Sequence, residues 1–411
     1  MSTEHSKRAA KFTADVEKTT WHDATFWSVR QKRDKMAHEL PEWEDLRELA
    51  SEIKMHTITH LADYLDVFSK NLESRGVKVH WAKDAQEFNE IVLGILNDHH
   101  VKKMVKSKSM LTEECEMNPY LEKHGIDVVE TDLGERIIQL LGQKPSHIVM
   151  PAIHLKREEV GKMFEEKGIS KEIGNYDPTY LTRCARHHLR DQFMEAGAGM
   201  TGCNFGVAET GDCVVCTNEG NADMTTSMPK LHIVAMGIEK LVPDYKSLAV
   251  FQRLLCRCGT GQPTTAFTSH FRQARPGAEM HVVLVDNGRS DILADKDHWQ
   301  TLKCMRCGAC MNTCPVYRRS GGYSYTYFIP GPVGVNLGML KNPQKYADNV
   351  SACTLCLSCD NVCPSKVGPG SQIYVWRQSL DRLGKANPIK KAMSSGMEYL
   401  FDRPSLYTTA L

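Results

Sequence analysis

Eight cysteines stand in two copies of one phrase. CMRCGACMNTCP runs from Cys304 to Pro315 and CTLCLSCDNVCP from Cys353 to Pro364, and both spell C-x2-C-x2-C-x3-C-P. Three thiolates so close along one loop can occupy three corners of an iron–sulfur cube, with the intervening backbone N–H groups free to meet its sulfides. The fourth cysteine is displaced by one residue, and the proline after it turns the chain away. In the bacterial two-cluster pattern that cysteine serves the neighbouring cluster. This reading predicts that Cys304, Cys307, Cys310 and Cys363 hold one 4Fe–4S cluster, and that Cys314, Cys353, Cys356 and Cys359 hold a second. Zinc is the competing reading, but zinc sites favour cysteine pairs or Cys/His sets over three-plus-one runs ending in Cys-Pro. A disulfide framework does not suit a cytosolic chain.

Residues 301–380 carry Lys303, Arg306, Arg318, Arg319, Lys341, Lys345, Lys366 and Arg377 against only Asp348 and Asp360. Nearby cations would stabilise anionic, thiolate-bound clusters; an ordinary basic surface is the bland alternative. The insert between Cys314 and Cys353 is too long for a compact bacterial ferredoxin. NPQKYADNVSACTLC (342–356) reads as a helix leading into the second loop, and the aromatics of GGYSYTYFIPGPVG (321–334) read as packing.

Something must hold these loops. The chain has 411 residues, more than one ordinary core, so two domains are expected. A polar, turn-rich stretch, DNGRSDILADKDHWQ (286–300), marks a boundary near residue 290. Before it, short Val- and Ile-rich runs alternate with amphipathic stretches. VKVHWA (77–82), IDVVET (126–131), HIVMPAI (147–153), LHIVAMG (231–237) and MHVVLVD (280–286) read as strands. Residues 84–99, 156–168 and 180–197 read as helices, and residues 42–76 as one long helix. Such alternation predicts a largely parallel, doubly covered sheet. The divisions expected are a segment 1–50, an α/β domain 51–290, a cluster domain 291–385 and a tail 386–411.

Net charge is +1, so overall electrostatics selects neither nucleic acid nor an anionic membrane. The N-terminus is polar and lacks the apolar core of a signal peptide, and no apolar run is long enough for a bilayer. A cytoplasmic protein is expected, touching membranes only through partners.

Several blocks of the first domain are distinctive: KSKSMLTEE (106–114), GIDVVETDLGERIIQL (125–140), HIVMPAIHLKREEVG (147–161), the long run 204–243 and HVVLVDNGRS (281–290). Together they resemble the LUD domain of lactate-utilisation proteins. Followed by two cysteine runs, the chain resembles the lactate-utilisation protein B family across roughly residues 50–380, departing from it at HFRQARPGAE (270–279). The resemblance implies an α/β LUD domain with a sheet like that of ribose-5-phosphate isomerase and CoA transferases, then a mainly α-helical ferredoxin-like domain. It further implies an iron–sulfur electron-transfer subunit of a system oxidising L-lactate to pyruvate. The implied partners are a heterodisulfide-reductase-like subunit with CCG domains and a second LUD-domain subunit. The alternative is a LUD-type enzyme acting on a CoA thioester or sugar phosphate, its clusters serving as redox sensor or scaffold.

No flavin or nicotinamide site is legible: GAGMTG (197–202) does not fit G-x-G-x-x-G after a strand. Glu209 and Glu219, at apparent strand ends beside turns, are candidate catalytic carboxylates, with structural turn residues as the bland reading. Lys106, Ser107, Lys108 and Ser109 follow a strand and are candidates for an anionic ligand. The other seven cysteines, Cys115, Cys184, Cys203, Cys213, Cys216, Cys256 and Cys258, read as small buried hydrophobes, with Cys256 and Cys258 sharing a face if that segment is a strand. His56 and His60, one helical turn apart, read as a solvated face.

Overall fold

A computed structural model describes residues 3–385 and 388–410. Its centre is a six-stranded parallel sheet. In chain order the ten strands are β1 (Lys78–Ala82), β2 (Lys103–Lys106), β3 (Asp127–Glu130), β4 (Ala198–Gly202), β5 (Phe205–Val207), β6 (Asp212–Thr217), β7 (Leu231–Gly237), β8 (Leu241–Val242), β9 (Phe267–Phe271) and β10 (Glu279–Val285). The main sheet runs β1-β10-β7-β4-β2-β3, every neighbouring pair parallel. A second sheet, β8-β5-β6-β9, contains the antiparallel pairs β5–β6 and β6–β9.

All seven residues of β7 are buried. It lies inside the sheet, where both faces are covered, so it reads as a continuous apolar run rather than an alternation. One face packs on Phe88, Val92, Leu96 and Leu121, the other on Phe68, Leu72 and Leu241.

Three segments differ from their reading in the sequence. HIVMPAI is a set of turns, not a strand. The His147 ring accepts the N–H groups of Val149 and Met150, both at 3.0 Å, and Ser146 N–H bonds Pro151 O at 3.1 Å. Those local bonds take donors that a strand would offer to a neighbour. Residues 42–76 form two helices, Trp43–Thr59 and Leu61–Glu73, broken at His60. Cys256 and Cys258 lie on the helix Tyr245–Gly259, not on a strand, so their two-residue spacing places them on different faces.

After residue 290 the described elements are all helices. The N-terminal segment is helical too, Glu4–Thr13 and Val16–His38, and it packs against this region rather than standing apart. Phe26 and Tyr317, both fully buried, share a core with Tyr325, Ile329 and Trp376. Tyr325, Tyr327 and Phe328 from 321–334 thus build this core, and Tyr325 also lies against the thiol of Cys314.

Candidate functional site: two cysteine loops and the cavity beside the first

The two phrases fold alike, position by position, as far as their fourth cysteines. A 3-10 turn, Trp299–Lys303 or Ala347–Ala352, delivers the first cysteine. The loop then alternates into the left-handed region: Arg306 (φ 63°) and Gly308 (79°) in the first copy, Leu355 (55°) and Leu357 (57°) in the second. Left-handed backbone of this kind turns N–H groups toward one concave side, a geometry that cradles anions. The N–H of Arg306 reaches Cys304 Sγ at 3.4 Å, and that of Leu355 reaches Cys353 Sγ at 3.3 Å. A short helix, Ala309–Thr313 or Ser358–Val362, carries the third cysteine. The fourth accepts an N–H in turn, Tyr317 onto Cys314 at 3.5 Å and Val367 onto Cys363 at 3.3 Å.

Side-chain proximity crosses between the copies. Burial raises the Cys310 thiol, and the further causes are the neighbouring thiols Cys304, Cys307 and Cys363. Burial pushes Cys363 up to about 12, with Cys307 and Cys304 beside it. Cys314 is pushed up to about 11, again by burial, and its thiol neighbours are Cys353 and Cys356, not its own run. Cys359 is raised by burial and Asp360, and faces both Cys310 and Cys314.

The spacing of these thiols decides what they fit. A single tetrahedral zinc ion draws its sulfurs to about 3.8 Å apart. Among the described residues no three of the eight sulfurs lie within 4.8 Å of one another. Eight thiols in two sets, met by N–H groups of left-handed loops, fit iron–sulfur cubes, which hold their cysteine sulfurs farther apart than one ion does. Metal binding would displace the protons that burial otherwise holds on these sulfurs.

Arginines from the N-terminal helices clamp the loops. Arg47 donates to Cys363 O at 2.9 Å and Asn361 O at 2.7 Å, and Arg33 donates to Val362 O at 3.2 Å. Arg377 holds the carbonyl of Cys353. Not every local cation serves the loops: Arg318 and Arg319 pair with Asp23, and Lys366 pairs with Glu48. Cys258, legible in sequence only as a small hydrophobe, lies against Cys307 and Arg33, and these two lower its pKa despite burial. Nothing in the spacing of Cys258 or of these arginines marks them, because each meets the loop from a distant part of the chain.

A cavity of about 400 Å³ lies between the first loop and the carboxyl ends of β2, β4 and β7. Its wall includes Ser107, Lys108, Glu219 and Lys240 from the α/β domain, and Arg306 and Cys307 from the first loop. The two candidate carboxylates part here. Glu219 lines the cavity, where burial and then Asp132 push its carboxyl up to about 7 while it accepts the Leu133 N–H at 3.2 Å. Glu209 is exposed on the β5–β6 turn and is not part of that wall. The candidate anion ligands divide as well. Lys106 is fully buried and held by Glu130 at 2.7 Å and Glu113 at 3.1 Å, whereas Ser107, Lys108 and Ser109 face the cavity. His56 bonds Tyr64 at 2.9 Å on an exposed face.

This combination defines a class: an α/β domain of the LUD type, whose family matches residues 65–290, joined to a 4Fe-4S dicluster domain, which matches residues 300–367. The chain is 40% identical to lactate utilization protein B of Oceanobacillus iheyensis over 387 residues, covering 92% of this chain and 80% of that protein. It is 42% identical to the Geobacillus thermodenitrificans protein of the same name, covering 90% and 79%, and 43% identical to that of Bacillus cytotoxicus, covering 89% and 78%. The chain belongs to the lactate utilization protein B family. A solved DUF162 family protein from Deinococcus radiodurans aligns with 55% of this chain and 98% of that one, at 13% identity and a TM-score of 0.31, too distant to bear on the fold. No helix among the described residues is long and apolar enough to cross a membrane.

Proposed function

We propose that this chain is the iron–sulfur electron-transfer subunit of a complex that oxidises L-lactate to pyruvate. The observation that carries the reading is the crossed grouping of thiols: Cys310 among Cys304, Cys307 and Cys363, and Cys314 beside Cys353 and Cys356. In this reading Cys304, Cys307, Cys310 and Cys363 hold one 4Fe–4S cluster and Cys314, Cys353, Cys356 and Cys359 the other. Clusters so bound supply one-electron transfer. The protein's part is to exclude water, orient the sulfurs and set the local charge through Arg306, Lys303 and Arg377. The nearness of Cys359 to both Cys310 and Cys314 supports two adjacent clusters and electrons passing from one to the other.

The domain limits at 50, 290 and 385 remain our division of the chain. The N-terminal helices nevertheless work with the cluster region, since Arg33 and Arg47 reach its backbone. Lactate gives up two electrons and a one-electron relay takes them singly, so a partner must mediate. A CCG-domain subunit and a second LUD-domain subunit are the partners we propose.

The test is anaerobic purification with iron and sulfide counting, then titration with lactate with and without partners. About eight iron and eight sulfide per chain are expected, with bleaching of the broad absorbance on lactate addition only when the partners are present. Zinc in place of iron after anaerobic reconstitution would sink the reading. Turnover of a CoA thioester or sugar phosphate by the chain alone would favour a LUD-type enzyme instead.

A further inference from the structure

We propose that the cavity between the sheet edge and the first cysteine loop binds a small organic carboxylate, with Lys240 and Arg306 as its anion-binding pair and Ser107 as a hydrogen-bond partner. The choice of probe rests on the function proposed above; the geometry does not.

Arg306 and Lys240 both line the cavity. One terminal nitrogen of Arg306, Nη1, is buried with no hydrogen-bond partner. Lys240, among the described residues, makes no side-chain hydrogen bond or ion pair, and the charges nearest it are Glu239 and then Arg306. Three cations, Arg289, Arg306 and Lys240, stand here against two acids, Glu114 and Glu239, so one positive charge is left over and an anion in the cavity would pair with it. A carboxylate suits an arginine because its two oxygens match the guanidinium fork.

The other cations around the cavity are already committed. Arg289 is held by Glu114 at 3.0 Å and by Glu239, and Lys108 donates to Val149 O at 2.8 Å and lies 3.7 Å from Glu135. Ser107, directly after β2, adds an independent sign. It is 3% exposed and its hydroxyl has no partner, yet it faces the same cavity. A hydroxyl stripped of water and left unbonded is costly, and a bound ligand oxygen relieves that cost.

Charge also orients the ligand. The charges acting on Glu219 are Asp132 and Lys108, and neither Lys240 nor Arg306 is among them. The unpaired Arg306 Nη1 and Lys240 lie on the side of the first loop, so the carboxylate points there. The volume, within the range of ordinary small-molecule sites, leaves room for a body larger than three carbons. The rival explanation is that both cations serve only the negative charge of the cluster, since Lys240 also feels Cys304.

The experiment uses the full chain with clusters reconstituted anaerobically and no partners. Equilibrium dialysis measures L-lactate and pyruvate binding, with inorganic phosphate as competitor. One carboxylate per chain is expected, with phosphate competing poorly. Lys240→Met should weaken it about ten- to a hundredfold, and Ser107→Ala less, with iron content and melting temperature unchanged. Should Lys240→Met not fold, Lys240→Gln and Arg306→Lys carry the same test. No saturable binding at millimolar carboxylate, binding indifferent to Lys240, or phosphate binding as tightly would each overturn the inference. So would a Lys240 variant that shifts only the reduction potential. If the chain binds carboxylate but lactate with partners leaves the clusters oxidised, the relay reading fails and this one stands.

Discussion

The two cysteine loops share a backbone and differ in what covers them. At the residue after the second cysteine, the first loop has Gly308 and the second Leu357. Gly308 sits at φ 79° beneath the 147–150 turn, and an added Cβ would lie 3.0 Å from His147 Cε1. Leu357 takes the same left-handed backbone but is 46% exposed. The second cysteine follows suit: Cys307 is buried against Cys258, whereas Cys356 is exposed. His147 also bonds Asn312 at 3.0 Å, and Asn312 bonds Gly259 O at 3.3 Å, tying the first loop to the α/β domain. One loop is thus walled in by the α/β domain and borders a cavity, and the other opens to solvent. A buried, enclosed site suits a small-molecule entry; an open one suits a macromolecular exit.

The largest expected effects come from crossing the two loops at their fourth cysteines. Cys314→Ser should abolish the cluster of Cys353, Cys356 and Cys359 and spare that of its own run, and Cys363→Ser should do the converse. Low-temperature EPR that resolves the two clusters decides this, and damage confined to the mutated run would show each run to be self-contained. Next is Gly308→Leu, which makes the first loop's sequence resemble the second's. It combines left-handed strain with overpacking against His147, so a loss of about 3 kcal/mol or more is expected, read as lowered melting temperature and iron content. Arg47→Met removes charge-assisted bonds to Cys363 O and Asn361 O and should cost about 2–3 kcal/mol, with iron leaving the Cys363 cluster faster under chelator.

A smaller effect tests the cavity. The Glu219 carboxyl is raised from 4.5 to about 7 by burial and Asp132. Between those values the folded chain keeps a proton that the unfolded chain has lost, so stability falls as pH rises, and the penalty is complete above about 7. Glu219→Gln should therefore stabilise by roughly 1–3 kcal/mol above that pH and by almost nothing below pH 4.5, in melting curves across the range. The smallest effect expected is Leu357→Gly. The residue is half exposed and glycine relieves the positive φ, so stability should move by no more than about 1 kcal/mol, with the iron content kept. A large loss there would erase the contrast between the loops.

Much of the molecule was legible in order along the chain. The cysteine spacing names a local loop, because ligands three residues apart need no tertiary structure to converge. The parallel sheet was legible because β7 and β10, buried on both faces, write continuous apolar runs. HIVMPAI imitates such a run, and only the His147 ring, competing for backbone donors, shows that it turns instead. The long helix at 42–76 was legible as apolar periodicity, which does not register the break at His60.

What the sequence by itself determined is the local chemistry: two nests of thiols, the alternation that makes a sheet, and the family to which the chain belongs. What only the tertiary structure decided is the company those groups keep. It separated Glu219, in the cavity, from Glu209, on an open turn. It took Lys106 out of reach by burying it on Glu130, and it brought Arg33, Arg47 and Cys258 to the cysteine loops from hundreds or tens of residues away. The physical reason is range. Periodicity and ligand spacing act within a few residues, whereas burial, charge pairing and the closure of a cavity depend on which distant surfaces the fold presses together.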